Sequence, residues 1–442
     1  MNANPRIDAA LSPIHAASIR AVSSATIGFK EKHVNTRYLL RWLLVLVILL
    51  AVVATAGAQG EVSAVRYETG SPTPTTAEVE PNAAFDAATP LVLGDVASGK
   101  IAYPGDRDTY VFDPPDTITF LVDIDAESIG SPLDPRVCLY DGSYRPPVEV
   151  FCNDNANGLD SLISFHTWSR VYIRVWGAAQ PDEGGAAYTY KLSIYRPLLV
   201  SAATDGTVAG IPFQKSDVLA HYDFADGAER WMLYFDASDV GITQNLVAWE
   251  AGYFVLQAAQ TLPVYEPTTG DYVPQTVTPY DYMLFTPGYG PETAGQFYFQ
   301  YHGAELGLTG PGEKIDALAG NIEISTVGAA TFSVSGTKVA DEDLADIWSG
   351  RLTFDGSTVP GLGTEDVVGA DGWAWNFDRI AYDRYLLTIL GRGRVDGLRV
   401  TQKDIFNVDV TTGRVTGIYW HGPTHHFNYN IDAFDAVDDY SH

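Results

Sequence analysis

Thiols, thioethers and positive charge are all scarce in this chain: 442 residues carry two cysteines, three methionines and 27 Lys and Arg against 55 Asp and Glu. Two cysteines exclude a disulfide-dense scaffold and any four-thiolate metal cluster. The formal charge of −28 excludes nucleic acid and anionic lipid surfaces as partners, because both would repel it. Local catalytic signatures are missing as well. There is no Gly-x-Ser-x-Gly elbow, no His-Glu-x-x-His helix and no phosphate loop. An enzyme would therefore have to draw its groups from distant strands. A secreted polysaccharide hydrolase with paired carboxylates in the C-terminal half remains as the alternative of that kind.

One long apolar run is present. Residues 1 to 41 hold Arg6, Arg20, Lys30, Lys32, Arg37 and Arg41 against Asp8 and Glu31, and Trp42 to Ala58 then runs without a charge. This reads as an export signal over residues 1–58. Ala56-Gly57-Ala58 is a small-x-small cleavage site, and the alternative is an uncleaved signal anchor with its charges inside. Either way the remainder lies outside the cell or on its surface, touching the membrane only through this segment. That remainder keeps 21 basic against 53 acidic side chains, so it is the more acidic part.

Residues 59–77 are rich in Ser, Thr, Pro and Gly and are expected to form a flexible linker. Beyond them, aromatics at 12% of the chain and frequent Gly and Pro favour strands and turns over helices. Short apolar alternations recur from Thr117 to Ile124, Val137 to Tyr140, Val148 to Phe151, Arg170 to Trp176 and Tyr188 to Tyr195. That spacing belongs to a β-sandwich or barrel. Cys138 and Cys152 lie in two of these runs, separated by a Pro-Pro turn, and are expected to form a disulfide in an oxidising compartment.

Several motifs in order carry a family resemblance. They are Glu78-Val79-Glu80-Pro81-Asn82, Gly105-Asp106-Arg107-Asp108-Thr109-Tyr110, Leu133-Asp134-Pro135-Arg136-Val137, Leu139-Tyr140-Asp141 and the closing strands Val171–Val175 and Tyr188–Leu192. Residues 78–196, within a sandwich domain expected over 78–197, resemble the bacterial pre-peptidase C-terminal domain, a secreted jelly-roll-like β-sandwich attached to extracellular proteases and related to collagen-binding modules. The resemblance implies calcium between the opening segment (Glu78, Glu80, Asn82) and the acidic turn (Asp106, Asp108). No peptidase precedes the domain here, so a binding or adhesion role is expected in place of a protease appendage.

Residues 198–437 repeat. Asp217, Asp281, Asp343 and Asp404, each ahead of a short strand, recur at intervals of 64, 62 and 61 residues. Each is followed by a strand running into a turn, ending at Asp236, His302, Asp355 and His421, and then by a third strand at Leu246, Ile315, Val367 and Ile431. Four such units predict a four-repeat β domain. A four-bladed propeller is preferred and stacked sandwiches are the alternative. The recurring Asp reads as strand-end hydrogen bonding, since a catalytic group need not recur in every repeat. His421, His425 and His426 form a metal-capable cluster by composition, yet His421 occupies the turn position of the repeat. Asn153 to Gly158 resembles half a calcium loop but has no closing Glu, and reads as a polar hairpin. Trp373 and Trp375 alternate as core or platform residues would.

The fold class expected is thus all-β: a sandwich followed by a four-repeat domain. The function expected is non-enzymatic extracellular binding to a polymer or cell-surface protein, stabilised by calcium. A structural envelope component is a further alternative.

Overall fold

The computed structural model describes residues 66–69, 72–114, 118–154, 160–167, 169–178, 183–250, 252–286, 293–319, 323–328, 330–331, 336–347, 349–372 and 384–436. Residues 1–58, where an export signal is expected, Trp373, Trp375 and residues 155–158 of the expected polar hairpin lie outside them. Among the described residues no helix is long and apolar enough to cross a membrane.

Two five-stranded sheets form the sandwich. One runs in the order Thr89–Leu91, Asp108–Phe112, Val171–Gly177, Pro135–Asp141, Val148–Asn153. The other runs Thr76–Ala77, Val96–Lys100, Thr189–Tyr195, Ile118–Asp125, Ser161–Thr167. Alternation decides which side chains enter: along Val171–Gly177 every second residue is buried, so Val171, Ile173 and Val175 meet Phe112, Phe120, Leu139 and Ile194 in one core. Cys138 and Cys152 are direct cross-strand partners and are disulfide-bonded.

The repeats build four blade sheets and three short two-stranded hairpins, Gly206–Val208 with Ile211–Phe213, Ala330–Thr331 with Lys338–Val339 and Arg392–Val395 with Leu398–Thr401. The first blade sheet has the order Arg66–Thr69, Glu229–Phe235, Val218–Asp223, Leu198–Ala202, Ile431–Asp435. In the second, Leu246–Glu250, Tyr253–Leu256, Tyr282–Thr286 and Gln296–Tyr301 are extended by a hairpin, Gln260–Glu266 and Asp271–Val277. The third is Ile315–Ala319, Glu323–Thr326, Leu344–Asp346, Leu352–Phe354, and the fourth Val367–Gly372, Arg384–Ile389, Asp404–Asp409, Arg414–His421. The four inner strands pack in a ring: Ile431–Asp435 on Leu246–Glu250, that on Ile315–Ala319, that on Val367–Gly372, and the last back on the first. This is the four-bladed closure.

Small residues make that ring tight. The third position of the inner strands is Ala248, Ala317, Gly369 and Ala433, all buried. A Cβ at Gly369 would stand 2.9 Å from the Phe434 ring and 2.8 Å from the Thr388 methyl, so glycine is required by close approach.

The sequence unit and the structural blade are out of frame by one strand. The strand closing each sequence unit is the innermost strand of the next blade, and the final one, Ile431–Asp435, pairs with Leu198–Ala202 of the first. The chain thereby fastens its two ends in one sheet, which no boundary drawn by sequence similarity alone reveals.

Each recurring Asp ties two turns together. One carboxylate oxygen accepts from the amide three residues upstream: Gln214 to Asp217 at 2.7 Å, Thr278 to Asp281 at 2.7 Å, Ala340 to Asp343 at 2.9 Å and Thr401 to Asp404 at 2.7 Å. The other accepts from the end of the following strand, from the amides of Ala237, Gly303 and Gly356, or from the His421 ring at Asp404. At the turn position itself, Asp236 and Asp355 accept from Ser238 and Ser357 two residues on, as Asx turns do.

Part of the segment expected as linker is built into sheets. Arg66–Thr69 pairs antiparallel with Glu229–Phe235, and Thr76–Ala77 pairs parallel with Val96–Lys100. Low hydrophobicity prevents a segment from forming a core but not from adding backbone hydrogen bonds to an open sheet edge. The sandwich is likewise docked, not dangling. Val96, Leu121 and Tyr195 share a core with Met232, Phe235 and Phe254 of the first two blades.

Candidate metal centre

The turn and the opening segment of the sandwich converge. Thr76–Ala77 pairs beside Val96–Lys100, and the Glu78 amide then donates to the Ser98 carbonyl at 3.0 Å, which delivers Glu78 and Glu80 to the edge where Asp108 begins its strand. Carboxylate oxygens of Glu78, Glu80 and Asp108 lie within 4.8 Å of one another. Asp108 is fully buried; its Oδ2 accepts from the Tyr190 hydroxyl at 2.6 Å, and Tyr190 is in turn 2.8 Å from the Tyr110 hydroxyl. The two tyrosines occupy the space a side chain at position 99 would take, since a Cβ on Gly99 would stand 2.4 Å from one hydroxyl and 2.7 Å from the other.

The side-chain amide atoms Oδ1 and Nδ2 of Asn82 are buried without a hydrogen bond, the Glu78 and Asp108 carboxyls bond to each other, and the Asn82 backbone N–H donates to Glu80 Oε2 at 3.0 Å. Burial raises the carboxyl pKa of Asp108 to about 9, offset in part by the Tyr190 hydrogen bond and reinforced by the negative charge of Glu78. Burial raises Glu78 too, with Glu80 and Asp106 adding repulsion. Such a cluster is starved of positive charge. Hard oxygen donors running from the buried Asp108 through the half-buried Glu78 to the exposed Glu80 match calcium, which takes about six to eight oxygens.

The five residues of the sequence reading are not equivalent in space. Asp106 is buried, but its carboxylate is occupied by the Ala102 amide at 2.7 Å and the Arg107 amide at 3.0 Å. It shapes the turn and lends charge from behind.

The histidine trio does not assemble. His421 bonds Asp404, while the turn at Gly422–His425 carries the chain round, so that His425 reaches Asp223 and Glu229 on the first blade.

Sequence reasoning missed a second group of acids, at the end of the ring. The fifth position of the inner strands is Glu250, Asp371 and Asp435, with Ala319 in the third blade, and oxygens of the three acids lie within 4.8 Å of one another. All three are less than a tenth exposed. Burial and the charges of Asp435 and Asp371 push Glu250 well above the carboxylate range, relieved in part by Arg196. The signal was an acid at one fixed position in three of four repeats.

A third buried acid gives a pH prediction. Glu323 in the third blade accepts from the Tyr385 hydroxyl of the fourth at 2.6 Å, and burial, helped by the charge of Asp346 and opposed by that hydrogen bond, lifts it from 4.5 to about 8. Between those values the unfolded chain has lost its proton and the folded chain has kept it. The stability this group contributes is therefore full below its unfolded pKa and is lost as pH rises toward about 8. Glu323→Gln keeps the shape without the proton, so its stability relative to the parent should climb by about 1.4 kcal/mol per pH unit across this window. Urea unfolding at about pH 5.5 and about pH 8 measures it, and parallel curves for the two proteins would contradict the assignment.

No protein-family model matches the chain, and no curated protein matches it. Among solved structures it is similar to the pre-peptidase C-terminal domain of a collagenase from Bacillus anthracis, at 19% identity over 24% of this chain and 93% of that one, with a TM-score of 0.20.

Proposed function

We propose that this chain is an exported, non-enzymatic binding protein whose sandwich is stabilised by calcium and whose propeller presents an adhesive surface to an extracellular polymer. The observation that carries the binding reading is the long hairpin of the second blade. Each blade has a hairpin between its second and third strands, but Gln260–Glu266 and Asp271–Val277 have seven residues each and join the blade sheet beside Gln296–Tyr301, and five of the six residues from Asp271 to Thr276 are exposed. On it Tyr265 packs edge-on against Tyr272 at 5.6 Å and Tyr298 at 5.5 Å, while Tyr272 remains 51% and Val273 39% exposed. The corresponding hairpin strands of the other blades are only two to four residues long. Rigid tyrosines with an apolar face and a hydroxyl suit a polymer of alternating apolar and polar faces, such as a polysaccharide.

Calcium would be held by Glu78, Glu80, Asp108 and the Asn82 side-chain oxygen. The disulfide between Cys138 and Cys152 fits an oxidising compartment, in keeping with export through residues 1–58. The hydrolase alternative finds less support, because the acids at the ring end are all less than a tenth exposed, out of reach of a sugar chain.

Co-sedimentation with insoluble cell-wall polysaccharides tests the binding reading. The parent chain is expected to pellet with at least one of them, and Tyr265→Ala combined with Tyr272→Ala to lower retention by roughly tenfold or more, the loss expected for aromatic anchors, with unchanged circular dichroism. Equal retention of parent and variant would overturn the assignment of the hairpin.

A further inference from the structure

Four side chains from distant parts of the chain meet where the first blade abuts the end of the fourth. His221 and Asp223 end the strand Val218–Asp223, Glu229 opens the strand Glu229–Phe235, and His425 comes from the turn that follows Arg414–His421. One ligand-type atom from each lies within 4.8 Å of all the others. His221 Nε2 is 2.9 Å from Glu229 Oε1 and 3.4 Å from Asp223 Oδ1; His425 Nδ1 is 3.5 Å from Asp223 Oδ2 and 3.6 Å from Glu229 Oε1. Four ligands about 2.0–2.1 Å from a tetrahedral metal stand about 3.3 Å apart, so these spacings bracket that edge.

Ordinary hydrogen bonding accounts poorly for the arrangement. His221 Nε2 carries at most one proton, yet two carboxylate oxygens face it. Glu229 Oε1 already accepts from the Trp231 indole N–H at 3.0 Å and is approached by both imidazoles as well. A cation at the centre serves all four groups at once. The surroundings hold the rings in place: His221 lies against Trp231 at 4.5 Å, and His425 stacks on Trp420 at 5.6 Å with 9° between the planes. His221 and Glu229 are buried, His425 is a quarter exposed and Asp223 about half, so the inner half is fixed and the outer half open to an arriving ion. His426, with Nε2 3.9 Å from Glu229 Oε2, stands outside the four.

We propose that His221, Asp223, Glu229 and His425 form a site for a divalent transition metal of the zinc class, joining the first blade to the turn that ends the fourth. Two imidazole nitrogens and two carboxylate oxygens suit zinc over calcium or magnesium, which take oxygen alone. The bound ion would act as a staple at the seam where the propeller closes.

The test is zinc and cobalt titration of the chelator-treated full chain near neutral pH. One zinc per chain is expected by calorimetry, together with the visible absorption of tetrahedral cobalt(II). His425→Ala removes a quarter-exposed ligand that sits in a turn, and should weaken zinc by about a hundredfold or more with unchanged circular dichroism. His221→Asn, a more buried change, should do the same. Asp108→Asn should leave zinc affinity alone, which separates this site from the sandwich cluster. Absence of zinc heat and of the cobalt band in the folded parent would overturn the proposal, and so would zinc affinity unaltered by His425→Ala.

Discussion

Replacing Arg230 by alanine lowers the unfolding free energy by about 3–5 kcal/mol, the range for stranding a buried charge by removal of its partner. Arg230 is 1% exposed, on the second strand of the first blade, yet its partners belong to the sandwich. Its guanidinium pairs with Asp123, which the Tyr195 hydroxyl also approaches at 3.0 Å, and with Asp125 at 3.1 Å, both on Ile118–Asp125. The rings of Tyr195 and Phe224 flank it at 5.4 and 5.1 Å. Two carboxylates, each 1% exposed, thus share one cation from the other domain. Removing it leaves both in an apolar seam where Leu121 and Met232 share a core. Urea denaturation followed by tryptophan fluorescence measures the loss, and the single transition expected of the parent should split in two as sandwich and propeller uncouple. Adding Asp123→Asn and Asp125→Asn to Arg230→Met should recover much of the stability, because the cost lies in unpaired charge and not in missing contact. A loss below about 1 kcal/mol for Arg230→Ala would mean that water reaches the carboxylates.

Nothing in sequence order foretells that clamp, and the reason is physical. Arg230 and Asp123 are 107 residues apart, and an Arg in a strand reads as a solvated face unless the docking partner is known. Periodic information survived better. The 61- to 64-residue recurrence of Asp217, Asp281, Asp343 and Asp404 marked four blades, because each blade needs the same acceptor to bind two turns. What the recurrence could not locate was the frame, since ring closure is a relation between the two ends of the repeat region. The length of the hairpin at Gln260–Val277 was equally hidden, because every unit carries a hairpin at that place and the repeat interval therefore changes little. For the sandwich cluster, residue type and motif order placed Glu78, Glu80 and Asp108 together, whereas the separate fate of Asp106 depended on which amides its turn left free. The zinc-class site was half legible. His425 stood out by composition, but its partners His221, Asp223 and Glu229 are some 200 residues upstream and become neighbours only when the first and fourth blades meet.

Calcium added to the chelator-treated protein should raise its melting temperature, with a stabilisation of about 2.7 kcal/mol once the free ion exceeds the dissociation constant a hundredfold. Asn82 Oδ1 has no hydrogen-bond donor, and the buried Glu78 and Asp108 carboxyls bond to each other only while a proton is kept between them. A divalent ion supplies the missing charge and coordination to the native state alone, because in the unfolded chain Asp108 is separated from the opening segment by a long flexible stretch. Asp108→Asn is the informative variant. It keeps the volume and an oxygen to accept from the Tyr190 hydroxyl, now at 2.6 Å, so the chelated protein should melt near the parent. It removes one carboxylate from a cluster of three, so the calcium shift should fall to a small fraction. Asp106→Asn behaves differently on the same reasoning, since the Asp106 oxygens are already taken by two backbone amides. It should lower the melting temperature with and without calcium alike and leave most of the shift in place. Equal calcium shifts in the parent and Asp108→Asn would place the ion elsewhere and leave the sandwich cluster as a proton-sharing carboxyl pair. A shift lost in both aspartate variants would return Asp106 to the coordination shell.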